Sequence, residues 1–118
     1  MSSKAYSYKR TILFRNALVE VVRIVWPLGV ESLPHDHGKS YGIIKVLAGA
    51  IFQDVFFKKT KRFIGHTSHK KNEIIFETPD VIHIVGNASK KNIAETIHIY
   101  SPRLKMAFYK KKDLKRHK

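Results

Sequence analysis

Short stretches in which apolar and polar side chains alternate run along most of this chain, and glycine, proline or asparagine separates them. A period of two is typical of β-strands that bury one face. No stretch shows the period of an amphipathic helix, and no internal repeat is present. The pattern therefore predicts an all-β sandwich or barrel. Its strands are expected at residues 8–14, 18–26, 35–37, 42–47, 50–57, 63–67, 73–76, 81–85, 94–100 and 105–109.

The length of 118 residues predicts one domain. We expect a barrel over residues 6–109, a disordered N-terminus over residues 1–5 and a disordered basic tail over residues 110–118. No apolar run approaches the roughly 18 to 20 residues of a membrane span, and no signal segment begins the chain. Cysteine is absent, which excludes disulfides, thiolate ligands and a cysteine nucleophile. A cytoplasmic protein without a membrane partner is the expectation.

The charge is strongly basic, with 23 lysines and arginines against 9 acidic residues and a net charge of +14. Such a balance is typical of proteins that bind nucleic acids or other anions. Lysine outnumbers arginine 17 to 6, however, and no zinc-finger or RNA-recognition signature is present. A nucleic-acid partner is therefore not favoured. The positive electrostatic field of the protein would also attract a small anionic substrate.

Four histidines stand out by their spacing. His35 and His37 flank Asp36, so in an extended strand the two imidazoles face one way and the carboxylate faces the other. Two imidazoles on one face make half of a metal site, although the pair alone fits surface histidines equally well. His83 falls in a stretch predicted to be buried. His98 has neighbours two positions away on either side, at residues 96 and 100, which supply a hydroxyl and a phenol on the same face.

Together these residues make the chain resemble the cysteine dioxygenase type I family, a branch of the cupin-type thiol dioxygenases, in its bacterial-like form. The resemblance extends from about residue 8 to about residue 106. The residues that carry it are Tyr8-Lys9-Arg10, Trp26, His35-Asp36-His37, Gly42, His83 and Thr96-Ile97-His98-Ile99-Tyr100-Ser101-Pro102.

The resemblance implies a cupin double-stranded β-helix, a small jelly-roll barrel, that holds one Fe(II). It implies metal ligands at His35, His37 and His83. It implies catalytic roles for Tyr100, His98 and Thr96, and substrate-binding roles for Arg10, Tyr8 and Trp26. The partners would be a small thiol and O2.

Three departures from the family and fold patterns concern the site itself, and the mildest is Thr96 in place of the usual serine. Some family members carry a cysteine at the position of Gly42, cross-linked to the tyrosine that corresponds to Tyr100. This chain has glycine there, as many bacterial members do. Cupins in general place a glutamate shortly after the histidine pair, where this chain has Tyr41 and Gly42. The expected ligand set therefore consists of three histidines.

The function that this resemblance implies is oxidation of a small carboxylated thiol, cysteine first, to its sulfinate with O2. The alternatives are another thiol acid such as 3-mercaptopropionate, a metal-binding cupin without this activity, and a nucleic-acid-binding protein. Arg10 together with His98 and Tyr100 separates the enzyme from the others, because metal binding alone requires only the three ligands. The chain is expected to be a monomer or a dimer.

Overall fold

A computed structural model describes residues 8–116. Its strands form two five-stranded antiparallel sheets, with strand orders β1-β2-β9-β4-β7 and β10-β3-β8-β5-β6. The strands are β1 Lys9–Arg15, β2 Glu20–Trp26, β3 His35–Asp36, β4 Tyr41–Ala48, β5 Ala50–Phe57, β6 Phe63–Lys70, β7 Ile74–Glu77, β8 Val81–Asn87, β9 Ala94–Ser101 and β10 Ala107–Phe108. One 3-10 turn, Lys111–Asp113, follows them. No helix in these residues is long and apolar enough to cross a membrane.

The predicted all-β architecture is confirmed, and most strands begin or end within a few residues of their predicted limits. The strand predicted over residues 18–26 begins later than expected. Leu18 precedes β2, which starts at Glu20, and its side chain is exposed. The Asn16 side chain accepts hydrogen bonds from the backbone N–H groups of Leu18 and Val19, both at 2.9 Å, and so forms a turn before the strand starts.

The main core lies between the two sheets and follows the alternation of the sequence. Along β2, buried side chains alternate with exposed or half-buried ones. A buried residue on β2 lies opposite one on β9 at each inward position, as in the pairs Val22–His98 and Ile24–Thr96. The buried members of this core are Val22, Ile24, Trp26, Val30, Ile44, Val46, Ile51, Ile75, Val85 and Ala94.

The outer face of the first sheet carries apolar side chains across its full width. Strand pairing places five of them in one row, from β1 to β7: Phe14, Val21, Ile99, Ile43 and Phe76. Four of the five are exposed, and Val21 is half-buried. We call these five residues the outer apolar row.

The outer face of the second sheet is covered instead. Phe56, Ile82 and Ile84 form a second buried cluster there, and Tyr109 and Leu114 pack against it. The backbone N–H of Lys115 donates to the carbonyl of Lys61 at 2.8 Å, and the N–H of Phe63 donates to the carbonyl of Lys115 at 2.8 Å.

These contacts correct the prediction for the basic tail. The tail, residues 110–118, was expected to be disordered, but its described part, residues 110–116, lies along the sheet because Leu114 has an apolar surface to cover. The predicted disordered N-terminus, residues 1–5, lies outside the described residues.

Candidate metal centre and substrate cavity

Three histidines meet in the interior because of strand pairing. His35 on β3 lies directly opposite His83 on β8, and His37 follows two residues later. Nε2 of His83 lies 3.0 Å from Nε2 of His35 and 3.0 Å from Nε2 of His37. All three side chains are buried. In residues 8–116 this is the one cluster of histidine and acidic side chains close enough to hold a metal ion.

Their environment keeps these imidazoles neutral. Burial, with repulsion from His83, lowers the pKa of His35 to about 4. Burial likewise lowers the pKa of His37 to about 3 and that of His83 to about 3. A neutral imidazole is the form that binds a metal ion. At neutral pH the three rings are already neutral, so they can bind a metal ion without first losing a proton.

Hydrogen bonds set the tautomers of two of these rings. Nδ1 of His35 donates to the carbonyl of Leu33 at 2.8 Å, and Nδ1 of His83 donates to Oε1 of Gln53 at 3.2 Å. Each bond leaves the Nε2 lone pair free to face the centre of the cluster.

The three side chains fit a bound cation. The unprotonated Nε2 atoms of His35 and His83 lie 3.0 Å apart and repel one another unless a cation lies beside them. Two nitrogen ligands about 2.1 Å from one ion and at right angles lie roughly 3.0 Å apart. Imidazole donors suit iron, zinc, copper and nickel.

Asp36 faces away from this cluster, as the alternation predicts. Its Oδ1 accepts the backbone N–H of Gly38 at 2.8 Å, and its Oδ2 accepts the hydroxyl of Tyr109 at 2.5 Å. Lys58 lies 3.5 Å from Oδ2. These contacts fix the loop that carries the two histidines.

A hydrogen-bonded chain of buried side chains leads toward the cluster along β9. Nε1 of Trp26 donates to Oγ1 of Thr96 at 3.0 Å. Oγ1 of Thr96 lies 2.7 Å from Nε2 of His98, whose Nδ1 lies 2.9 Å from the hydroxyl oxygen of Tyr100.

The donors and acceptors available on each side chain determine which atom donates in each of these hydrogen bonds. Burial lowers the pKa of His98 well below its usual value, so the ring is neutral and donates from one nitrogen only. The Thr96 hydroxyl already accepts from an indole, so it satisfies its own proton by donating to Nε2. His98 then donates from Nδ1 to the Tyr100 oxygen. The hydroxyl proton of Tyr100 remains available for another acceptor, and burial raises the pKa of this phenol so that it keeps that proton.

One small cavity is lined by most of the predicted site residues. It has a volume of about 20 Å³, and its walls include Tyr8, Arg10, Trp26, His35, His83, His98 and Tyr100. His37 does not line this cavity, but its ring lies beside that of Tyr100, at 5.0 Å between ring centroids. Thr96 lies behind it, bonded to Trp26 and His98. The structure thus brings all nine predicted residues to one place.

Arg10 is held at this cavity by a buried carboxylate. Its Nη2 donates to Oε2 of Glu20 at 3.1 Å, and Arg15 donates to the same oxygen at 3.3 Å. Burial alone would raise the pKa of Glu20, but the bonds from Arg15 and Arg10 outweigh it and lower that pKa. A guanidinium has five N–H donors, so this pairing leaves donors of Arg10 for an anion in the cavity.

Glu77 is a residue of this region that the sequence reasoning missed. It ends β7, is buried, and lies in the same inward row as Gly42 and Tyr100. Its Oε1 lies 3.6 Å from Nε2 of His37. The alternation Ile75-Phe76-Glu77 marks an inward position, and that signal was available in the sequence.

Comparison with solved structures shows the fold. Peruvianin-I, a cysteine peptidase from Thevetia peruviana latex, superposes with a TM-score of 0.76 at 10% identity, over 89% of this chain and 68% of that one. The cupin domain of Schizosaccharomyces pombe Cnp3 gives a TM-score of 0.67 at 16% identity, over 81% and 61% of the two chains. An oxalate oxidase in complex with glycolate gives 0.73 at 16% identity, over 86% and 54%. At such identities the likeness concerns the fold alone, and it confirms the predicted cupin jelly roll.

The sequence itself matches the family described as cysteine dioxygenase type I over residues 3–111, which is nearly its whole length. This match covers the histidine cluster, the β9 hydrogen-bonded chain and Arg10. The enzymes of this family are dioxygenases that bind a metal ion and act on thiols. The chain belongs to the cysteine dioxygenase type I family.

Proposed function

We propose that this protein is an Fe(II)-dependent dioxygenase that converts a small carboxylated thiol to its sulfinate, with cysteine as the first candidate. The observation that supports it most directly is the composition of one cavity wall. Arg10, Tyr100 and two members of the neutral histidine cluster, His35 and His83, all border the same space. A protein that only bound a metal would need neither the guanidinium nor the directed phenol.

The reaction balances without a further reductant. The thiolate sulfur gains both atoms of O2 and loses four electrons, which reduce the dioxygen, and the product is the sulfinate anion. Iron held by His35, His37 and His83 would supply binding positions for the thiolate and for O2. Three neutral ligands leave the ion's charge to attract the thiolate.

Arg10 would bind the substrate carboxylate. Guanidinium and carboxylate pair through two parallel hydrogen bonds, and Glu20 holds Arg10 beside the cavity. Tyr8 lies beside it, with its ring packed on Trp26 at 4.7 Å between centroids. These two aromatic rings would exclude water from the opposite wall.

Tyr100 would donate its hydroxyl proton to the reacting sulfur or oxygen. His98 and Thr96 fix the direction of that proton from behind. Donors that are oriented before the reaction toward developing negative charge are effective because they need not reorganise.

The size of the cavity favours a small substrate. A volume of about 20 Å³ holds roughly one water molecule. Substrate entry would therefore require displacement of flexible lining side chains, and Leu104 and Met106 supply such groups on one wall.

The experiment is anaerobic reconstitution with Fe(II), addition of a panel of thiols, and then O2, with the sulfinate product measured by mass. Cysteine, 3-mercaptopropionate and cysteamine form the panel, because cysteamine lacks the carboxylate. The proposal expects one iron per chain and a sulfinate product from a thiol acid. His83→Ala should lose the metal. Iron binding without any sulfinate would leave a metal-binding cupin, and the best rate with 3-mercaptopropionate would make that the substrate.

Arg10 is tested in the same assay. Arg10→Gln should lower kcat/KM for cysteine by about ten- to hundredfold, the cost of a charged hydrogen-bonded pair. It should change kcat/KM for cysteamine far less. Arg23→Gln is the matched control, because Arg23 is an exposed arginine that pairs with Glu95 outside the cavity. An equal loss with both thiols would make Arg10 structural.

A further inference from the structure

The segment that carries the histidine pair is held by little backbone pairing of its own. β3 is two residues long, and it pairs with β8 at one position and with β10 at two. His37 lies beyond its end. So short a ladder restrains rotation about the strand axis poorly, and such a rotation would turn the imidazoles of both His35 and His37. Their direction therefore depends on further contacts.

His37 is the ring of the cluster with the least support from hydrogen bonds. Nδ1 of His35 and Nδ1 of His83 each bond to an oxygen outside the cluster. Nδ1 of His37 is buried, and it has no hydrogen-bond partner within residues 8–116. A metal-ligating imidazole is normally oriented by a hydrogen bond from its second nitrogen. The orientation of His37 therefore depends on packing and on the position of its backbone.

Asp36 fixes that backbone from the opposite side of the strand. Its side chain points away from the two histidines because strand side chains alternate, and the residue is only 2% exposed. Oδ1 accepts the N–H of Gly38 at 2.8 Å, one residue beyond His37. Oδ2 accepts the hydroxyl of Tyr109 at 2.5 Å, whereas the Lys58 ammonium lies 3.5 Å from the same oxygen. The hydroxyl is thus the closer donor, and it ties the histidine pair to the segment after β10.

Tyr109 is itself held in place on several sides. Its N–H donates to the carbonyl of Pro34 at 2.9 Å, immediately before the histidine pair. Its ring packs against the second buried cluster, and Nζ of Lys61 lies 5.4 Å from the ring centroid. A donor that is fixed in this way can fix its acceptor, whereas a freely exposed side chain would follow the acceptor's movements.

We propose that Tyr109 is a positioning residue of the metal centre, which holds His37 in its ligating direction through Asp36. This inference depends on the metal site of the proposed function but not on its substrate. Tyr109 does not line the cavity, so it acts through the carboxylate between the two histidines. Loss of the hydroxyl would leave Oδ2 with the more distant Lys58 alone, and the histidine pair could then rotate.

The test compares metal binding by wild type, Tyr109→Phe and Tyr41→Phe, without turnover. Each variant loses one oxygen and keeps its ring, and Tyr41 is the matched control because it is 62% exposed. Anaerobic titration with Co(II) against a competing chelator gives the affinity, and the visible spectrum of bound Co(II) reports the geometry of its ligands. Tyr109→Phe should weaken binding by about tenfold and change the spectrum. Tyr41→Phe should match the wild type in both.

Each other outcome has a defined meaning. An unchanged affinity in Tyr109→Phe overturns the inference, and so does an unchanged spectrum, because weaker binding alone would reflect a general loss of stability. Wild-type protein that binds no Co(II) overturns the metal site and therefore both proposals. The expected Co(II) results together with an iron-loaded protein that forms no sulfinate would overturn the proposed function alone.

A second variant covers the case in which Tyr109→Phe fails to fold by circular dichroism. Asp36→Asn then replaces it, because the amide has one acceptor oxygen instead of two and cannot keep the bonds from both Gly38 and Tyr109. It should also weaken Co(II) binding and change the spectrum. A wild-type affinity and spectrum from Asp36→Asn would overturn the inference.

Discussion

Replacing Gly42 with alanine tests how closely the Tyr100 ring is packed. The new Cβ would lie 2.9 Å from both Cδ1 and Cε1 of Tyr100, whereas carbon atoms pack best at about 3.5 to 4.0 Å. The ring must therefore move by roughly 0.6 to 1 Å. Tyr100 is buried, and its hydroxyl lies 2.9 Å from Nδ1 of His98, so this movement strains either packing or that bond.

The expected cost can be estimated from these contacts. Overpacking of a buried site costs about 1 to 3 kcal/mol, and alanine returns about 0.5 to 1 kcal/mol in a strand because glycine is the more flexible residue. Gly42→Ala should thus lower the free energy of unfolding by about 1 kcal/mol, and by no more than about 2.5 kcal/mol. Turnover should fall as well, because the Tyr100 hydroxyl is displaced.

Gly65→Ala provides the matched control. Gly65 lies in β6, and a Cβ there meets no atom within 4 Å. This variant should be as stable as wild type or slightly more stable. Urea unfolding of the three proteins, with sulfinate formation measured in parallel, gives the comparison. If Gly42→Ala proves as stable and as active as Gly65→Ala, the packing argument for this row is wrong.

Three further predictions concern other parts of the site. Tyr100→Phe should keep normal metal content but lose about 10²-fold in sulfinate formation; metal loss would make Tyr100 a ligand, and normal turnover would leave it only a packing role. Thr96→Val should cost about 1 to 3 kcal/mol in urea unfolding, since it leaves the buried indole N–H of Trp26 without an acceptor; a smaller cost would contradict the proposed bond. Because hydrogen bonds from Arg15 and Arg10 outweigh the effect of burial and hold the pKa of Glu20 below 4.5, the stability it provides is complete above that pH and is lost as the pH falls further. Unfolding measured from pH 6 to pH 3 should therefore show a shallower decline in Glu20→Gln than in wild type, and parallel curves would contradict this.

Much of the fold and part of the site could be predicted from local sequence patterns. Period-two alternation identified the strands, and it placed Thr96, His98 and Tyr100 on one face because their spacing alone determines it. The side on which Asp36 lies followed from the same rule. Each of these depends on residues close together in the chain.

Features that depend on long-range register could not be predicted in this way. The alternation shows that Glu77 points inward, but only the pairing of β7 with β4 places it opposite Gly42. The ordered conformation of the tail also depends on contacts between residues far apart in the chain. Leu114 is one apolar residue in a run of basic ones, and the cluster it covers is formed by β5 and β8.

The outer apolar row has a consequence for how copies of this protein meet in solution. The tail covers the second sheet, but no segment among residues 8–116 packs over the outer apolar row. The row is therefore an exposed apolar surface on which a second copy of the protein can pack. The net charge of +14 opposes contact between two such surfaces. Salt shortens the range of that repulsion from about 30 Å at 0.01 M to about 10 Å at 0.1 M, while apolar contact does not weaken. Association of this protein with itself should therefore increase with ionic strength, which is the opposite of the behaviour of complexes held together by charge.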